Sequence, residues 1–581
     1  MKCNICEIGC DLAEGKSGQC RMYINKNGQI IERFPNNYFT MFPVSIETVP
    51  LLHFYPRGKF LQVCTVGCNF KCEGCISEIL ASRLLSTNKK SGISNENVIN
   101  KALDEDSIGI VFCLNEPAVS YFTFRDLAKK ARQNNLLIGC STNGYFTENA
   151  LKELIPLIDF VNIGIKGYSD ERYISCGARG SEPVFRNLKL LKESDVHVEV
   201  STIYIKGSED EVINTAKFVS SLSRDIPFQV MRFVPFGDAA PQIEPTIRES
   251  EGLCDKLSQH LNYVYLFNSP GTDHLNTVCP ECSKIIFQRE FFGPMGSRTL
   301  SYLPQGGCKC STAGLFRGEV SEVSHHEPGF MGGYRITRAL EIIHAILVCL
   351  GIKDDHELAE IWANVMETGY LEQLHTSSQD LDSYFDVIEH FAALADRKKE
   401  GMELVAYMRE KLDFIRSVTN DIEKPRAYYC MGYPLFALNG ERIENNLVEA
   451  AGGESVNKLI DREGKPGVGI SHNEFVGMNP EFIFISGFLS TPVSDSYAYC
   501  KKHGLSADAL KNRRIYGLRP LWDFGSPRWI LGLMYIANKL HPDIFNFDID
   551  KEANQFYKRF YGVSFDSSRH NRSFYSVSSR Q

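Results

Sequence analysis

The residues with the plainest chemical potential are cysteines, and they fall in three clusters. Cys68, Cys72 and Cys75 stand in the run VGCNFKCEGC, directly after the apolar stretch FLQVCTV at 60–66. A 4Fe-4S cluster ordinarily takes four thiolates, so a Cys-x3-Cys-x2-Cys triad leaves one iron without a protein ligand. That iron is then free to chelate a small molecule, as a catalytic metal keeps an open position. The bland alternatives are a zinc site or three incidental thiols. Cys3, Cys6, Cys10 and Cys20 form a second group whose spacing suits four-thiolate binding of zinc or of another cluster. Cys279, Cys282, Cys308 and Cys310 form a third, like the two knuckles of a zinc ribbon, with an auxiliary cluster as the alternative. Its second half is Cys-x-Cys rather than Cys-x2-Cys, which predicts a distorted geometry. Cys64 is expected to be a buried thiol, since a fourth ligand would close the open iron. Cys113, Cys140, Cys176, Cys254, Cys349, Cys430 and Cys500 are scattered and read as small core residues.

These groups need elements to hold them. From about 46 to 270, apolar runs at 60–66, 108–114, 136–142, 160–166, 196–205 and 228–234 alternate with amphipathic helical patterns. Near-continuous apolar strands joined by helices make a parallel sheet, here a partial (β/α)6 barrel, with its site at the C-terminal strand ends. The segment before it, 1–45, is too short and turn-rich for a core of its own and calls for a metal staple. Residues 271–320 carry the third cysteine group. From 325 to 565 a second α/β domain is expected, with helices at 335–350 and 389–418, strands at 426–432 and 480–487, and a helix at 529–540. A Ser-rich tail, 566–581, is expected to fray.

The bulk numbers set outer limits. The chain has 581 residues, 43% of them hydrophobic and 23% charged, with a net charge of −8 and 19 cysteines. That length suggests roughly three or four domains. The acidic balance argues against a nucleic-acid partner or an electrostatic membrane anchor. Without an apolar export segment or a transmembrane-length run, the expected location is the cytoplasm, where clustered cysteines mean metal rather than disulfides.

The run around the triad resembles the radical S-adenosylmethionine (SAM) superfamily. Within it, residues 1 to about 320 resemble the pyruvate formate-lyase activating enzyme branch and, more closely, the AmmeMemoRadiSam type. CNICEIGCDLAEGKSGQC, VPLLHFYPRGKFLQVCTVGCNFKCEGC, LNEPAVS, STNGYF, VNIGIKGYSDERY and VEVSTIYIKG carry that likeness. The resemblance implies an oxygen-sensitive 4Fe-4S enzyme of oxidoreductase or transferase type. It would cleave SAM to a 5′-deoxyadenosyl radical with an electron from a ferredoxin or flavodoxin. It places Phe70 beside the cluster and assigns Asn115, Glu116 and Pro117 to the SAM amino group. Ser141 and Asn143 would meet SAM polar groups, Lys166 the SAM carboxylate, and Arg232 the barrel mouth. Two positions depart from the family. Gly164 stands where Asp is frequent, and Gln229 where His is frequent, which puts a standard glycyl-radical activase in doubt.

The C-terminal part resembles class III periplasmic substrate-binding proteins in NNLVEAAGGESVN, NEFVGMNPEFIFISG, LKNRRIYGL and SPRWILGLMYIANKLHPDIF. Candidate cleft residues are His325, His326, His472, Arg519, Trp522, Asp523, Arg528 and Trp529. Three functions follow. The first is a radical enzyme acting on a small or cofactor-like ligand that the C-terminal domain presents. The second is an activase that installs a glycyl radical on a partner protein. The third is a metal or cofactor carrier without SAM turnover.

Overall fold

The computed structural model describes residues 1–83, 93–235, 239–303, 308, 310, 316–325, 335–462, 464 and 466–566. His326 and the tail beyond 566 lie outside the described residues.

The chain opens with a hairpin, β1 (Tyr23–Lys26) and β2 (Gln29–Glu32). Its turn is Asn27-Gly28, both at positive φ (52° and 72°), the conformation a tight two-residue hairpin loop demands. An eight-stranded sheet follows: β3 (Thr40–Ser45), β4 (Lys59–Cys64), β5 (Gly109–Phe112), β6 (Leu137–Thr142), β7 (Phe160–Ile165), β8 (His197–Tyr204), β9 (Phe228–Arg232) and β10 (Val264–Phe267). They lie in sequential order from β3 to β10, and the two end strands do not pair with each other. From β4 onward every neighbour is parallel, while β3 runs antiparallel to β4. The interior strands are mostly apolar and buried along nearly their whole length because helices cover them, for instance Asn95–Asp104, Tyr121–Gln133 and Glu182–Lys192. The six expected strands are all present, and β3 and β10 add to them. The sheet therefore begins at Thr40, before the boundary expected at 46.

A three-stranded antiparallel ribbon follows, β11 (Thr277–Val278), β12 (Ile285–Phe291) and β13 (Ser297–Tyr302). The buried pair Arg289–Glu47 at 2.8 Å fastens it under the barrel. Five helices come next, Arg335–Cys349, Asp355–Thr368, Tyr370–Ser377, Leu381–Leu394 and Lys398–Thr419. The single long helix expected over 389–418 is two, broken where Asp396 takes φ 53°. The second sheet comprises β14 (Arg426–Cys430), β15 (Phe436–Leu438), β16 (Glu454–Ser455), β17 (Gly467–Gly469), β18 (Phe482–Ile485) and β19 (Ile515–Gly517). Its order is β17-β15-β14-β18-β19, with β16 pairing β14.

The two halves are packed together. One continuous core runs from Val44 and Leu52 of the barrel through Ile336, Trp362 and Leu447 to Phe560. Phe39 stacks on Trp362 with centroids 5.7 Å apart, and Tyr433 donates to Glu251 at 2.8 Å.

Candidate functional site

The loop after β4 carries Cys68, Cys72 and Cys75 to the C-terminal edge of the parallel sheet. Three interactions shape it. Asn115, just past β5, accepts the Thr65 N–H at 3.0 Å and donates to Thr65 Oγ1 at 2.9 Å and to the Gly67 carbonyl at 3.1 Å. The Phe70 N–H donates to Cys68 Sγ at 3.4 Å. Gly74 turns the chain at φ +67°, where a Cβ would lie 2.5 Å from the Phe233 ring, so only glycine fits. Phe70 is buried edge-on against Tyr145, with ring centroids 5.1 Å apart.

The three cysteines line a cavity of about 210 Å³. Asn115, Glu116, Ser141, Asn143, Lys166 and Arg232 line it as well, together with Gly164, Ser201 and Met231. Pro117 does not; it starts the short 3-10 turn Pro117–Ser120 behind the wall. Glu116 is buried and accepts from Ala118 N–H at 3.0 Å, Thr142 Oγ1 at 2.7 Å and Asn143 N–H at 2.7 Å. Burial nevertheless raises its carboxyl above the usual range, against those donors. Asn143 donates to Asn69 Oδ1 at 2.7 Å and points its amide towards Cys68 Sγ at 3.9 Å. Lys166 is half-buried. Burial works against its charge, but the sulfurs of Cys72, Cys176, Cys75 and Cys68 outweigh it and hold the ammonium above the usual range. Burial likewise raises the thiols of Cys68 and Cys75.

Arg232 reaches the cavity wall but is fully buried and already clamped, to Glu244 at 2.8 Å and to the Asn268 carbonyl at 2.9 Å. Of the two positions that depart from the family, Gly164 faces the cavity. A Cβ there would stand 3.4 Å from Lys166 Nζ, so glycine leaves that ammonium room. Gln229 lies below, donating to Glu199 at 2.6 Å and accepting from Asn162 at 2.8 Å, outside the cavity lining.

Cys176, read from sequence as a core residue, belongs to the site. It lines the cavity and its sulfur touches that of Cys72, which draws it below the usual thiol range, assisted by Lys166 and Arg172. Its loop is sewn to the triad loop by Lys71 N–H on the Cys176 carbonyl at 2.8 Å. Nothing in the isolated run YISCGARG signals this. Cys64 is buried in the core on another side, beside Cys113.

The donor set fits a cluster with one open iron. Three thiols face an open cavity whose far wall offers a cation and several amide and hydroxyl groups. In the ribbon, by contrast, the sulfurs of Cys279, Cys282, Cys308 and Cys310 all lie within 4.8 Å of one another, with Cys308 and Cys279 at 3.3 Å. The Cys-x-Cys half closes the set despite its shorter spacing. Backbone N–H groups, Cys282's first, draw the Cys279 thiol down to about 7. Cys3, Cys6, Cys10 and Cys20 meet around a separate small cavity.

The described cleft candidates of the C-terminal part are engaged in packing and hydrogen bonds. Asp523 is buried, bonded to Tyr429 Oη at 3.1 Å and Gly487 N–H at 2.9 Å. Arg528 bonds Tyr557, Arg519 pairs with Asp550, and Trp522 and Trp529 are core. His472 bonds the Gly504 carbonyl and His325 the Pro43 carbonyl. Family motifs do not distinguish a side chain that packs from one that lines a cleft. Among the described residues no helix is long and apolar enough to cross a membrane.

Comparison with known proteins gives three results. Residues 63–219 match the Radical SAM superfamily. The uncharacterized protein MJ0808 of Methanocaldococcus jannaschii is 29% identical over 299 residues, 50% of this chain and 88% of the relative. MJ1632 of the same organism, named provisionally as a glycyl-radical enzyme activating enzyme, is 26% identical over 31% of this chain and 69% of its own length. Among solved structures, a periplasmic solute binding protein of Veillonella parvula has 22% identity and a TM-score of 0.29, covering 33% of this chain and 59% of that one. Helicobacter pylori CeuE with Ni(II) bound has 23% identity and a TM-score of 0.28, covering 33% and 62%.

Proposed function

Because residues 63–219 carry a radical SAM domain, we propose that the cavity at the strand ends is the active site of a radical SAM enzyme. Cys68, Cys72 and Cys75 would hold a 4Fe-4S cluster, with SAM between the open iron and Lys166. When bound, that cluster supplies one-electron reduction of the SAM sulfonium, giving methionine and a 5′-deoxyadenosyl radical.

The chain's own residues do the rest. Lys166 offers a compact positive charge to the SAM carboxylate, and Gly164 leaves it space. Glu116 fixes Thr142 and Asn143 and turns its remaining acceptor capacity towards the SAM ammonium. Asn115 holds the Thr65–Gly67 backbone so that Cys68 keeps its direction. Ile203, Met231, Phe233 and Val234 line the cavity with apolar surface, which keeps water from the reacting atoms. The electron comes from a low-potential ferredoxin or flavodoxin. The substrate is a small or cofactor-like ligand presented by the C-terminal domain, and the reaction is cytoplasmic. The observation that carries this reading is the convergence of three thiols, Glu116, Asn143 and Lys166 on one cavity.

A second reading, an activase that installs a glycyl radical on a partner protein, is favoured by the likeness to MJ1632. The first reading is tested by anaerobic cluster reconstitution, addition of dithionite and SAM, and quantification of 5′-deoxyadenosine. Product is expected from the intact chain and none from the Cys68→Ala/Cys72→Ala/Cys75→Ala variant. A cluster that binds and reduces but never yields product, even with candidate small ligands, would oppose it. A glycyl-radical signal on an added partner would favour the second.

A further inference from the structure

The N-terminal segment lies directly against the loop of the triad. Cys3, Cys6, Cys10 and Cys20 line one small cavity that Asn69 of the triad loop also borders. Three of these cysteines are buried and Cys10 is half-buried. Each sulfur is met by a backbone donor. The Ile5, Ile8 and Met22 N–H groups serve Cys3, Cys6 and Cys20, and the Gln19 N–H reaches Cys10 Sγ at 3.4 Å. Burial raises the thiols of Cys3, Cys6 and Cys20, and these N–H donors act against it, as they would stabilise a metal-bound thiolate. The same donor two residues on serves the triad, from Phe70 to Cys68 and from Ser77 to Cys75. Gly18 makes the close approach possible, since a Cβ there would lie 2.9 Å from Cys10 Sγ.

Spacing separates the metals. A single zinc ion with bonds of about 2.3 Å needs its four sulfurs close together, as the ribbon's four are. Among the described residues, the N-terminal sulfurs form no group as tight as that one. Wider spacing suits a cluster, in which each thiolate caps a different iron.

Asn69 supplies an independent observation. It is 1% exposed, and its amide nitrogen has no oxygen partner and lies against the Cys6 sulfur. Its Oδ1 accepts from Asn143 and stands 3.8 Å from Cys68 Sγ. One side-chain amide thus spans the two cysteine groups. Gln19 locks the arrangement by donating to the Asn69 carbonyl at 2.8 Å and the Gly177 carbonyl at 2.9 Å.

We infer that Cys3, Cys6, Cys10 and Cys20 hold a second iron–sulfur cluster, coupled through Asn69 to the triad as a one-electron relay. The relay rests on the reading of the triad as a cluster site. One electron enters the N-terminal cluster from a low-potential donor protein and leaves it for the triad cluster, so the N-terminal cluster returns to its oxidised state. No bond is made or broken at the quartet.

The test uses the full chain, reconstituted anaerobically with iron and sulfide, with metal analysis and electron paramagnetic resonance. The intact chain should hold about eight irons and one zinc. The Cys6→Ser/Cys20→Ser variant should fall to about four irons and keep a SAM-sensitive signal. About four irons with two zincs in the intact chain would overturn the proposal and leave the triad reading standing; this arm does not depend on how any variant folds. A SAM-insensitive signal in both proteins would instead strike the triad reading. Asn69→Ala, with both clusters present by analysis, should slow reduction of the triad cluster by a flavodoxin-class donor about tenfold or more. An unchanged rate would overturn the relay.

Discussion

The triad and the ribbon use the same ligand atom in opposite settings. The ribbon's four sulfurs all lie within 4.8 Å of one another, close enough to share one metal ion. The triad's three face a cavity of about 210 Å³ lined by a lysine, a buried glutamate and several amides. A metal held by the first arrangement would be saturated and would staple strands; one held by the second would keep a coordination position, surrounded by groups that can hold a charged ligand. What separates structural from reactive metal binding here is therefore not cysteine content but closure, and closure is set by the elements. The ribbon's cysteines flank short antiparallel strands, Cys279 and Cys282 between β11 and β12 and Cys308 and Cys310 after β13, whereas the triad sits on a loop at the end of a parallel sheet, where the fold opens.

The contrast breaks most visibly if the triad proves dispensable. Replacing Cys72 with alanine should abolish 5′-deoxyadenosine formation while the ribbon keeps its metal, read by product assay and metal analysis on one sample. Lys166→Ala should come next, raising the SAM concentration for half-maximal turnover roughly 10–100-fold without loss of iron. At the ribbon the effect should fall on stability. Cys279→Ser or strong chelation should remove any metal bound there and lower the thermal midpoint by roughly 5 °C. The cluster's response to SAM should persist. The smallest effect is expected at Cys176, whose sulfur partners Cys72 rather than completing the set. Cys176→Ala should leave iron content unchanged, and a loss of iron would make it a fourth ligand and close the site.

The sequence was informative where the relevant residues are near neighbours. The triad is local, and strands such as Gly109–Phe112 announce themselves as continuous apolar runs. Reading failed where partners are far apart. Cys176 meets Cys72 only because the loop after helix Asp170–Ser175 folds back over the triad loop. The edge strand β3 carries Pro43 and is only half-buried over Met41–Pro43, so it reads as part of the turn-rich start. The break at Asp396 has neither glycine nor proline to mark it. The expected cleft residues around Asp523 and Arg528 are polar and aromatic, which suits a cleft and a buried hydrogen-bond network equally well.

The most direct test of the open iron is the resonance spectrum of the reduced protein before and after addition of SAM, in the intact chain and in the Cys68→Ala/Cys72→Ala/Cys75→Ala variant. A signal that SAM reshapes, present only when the triad is intact, is the predicted result. A triad-dependent signal that SAM leaves unchanged would contradict it, because such a cluster would have no position open to a ligand.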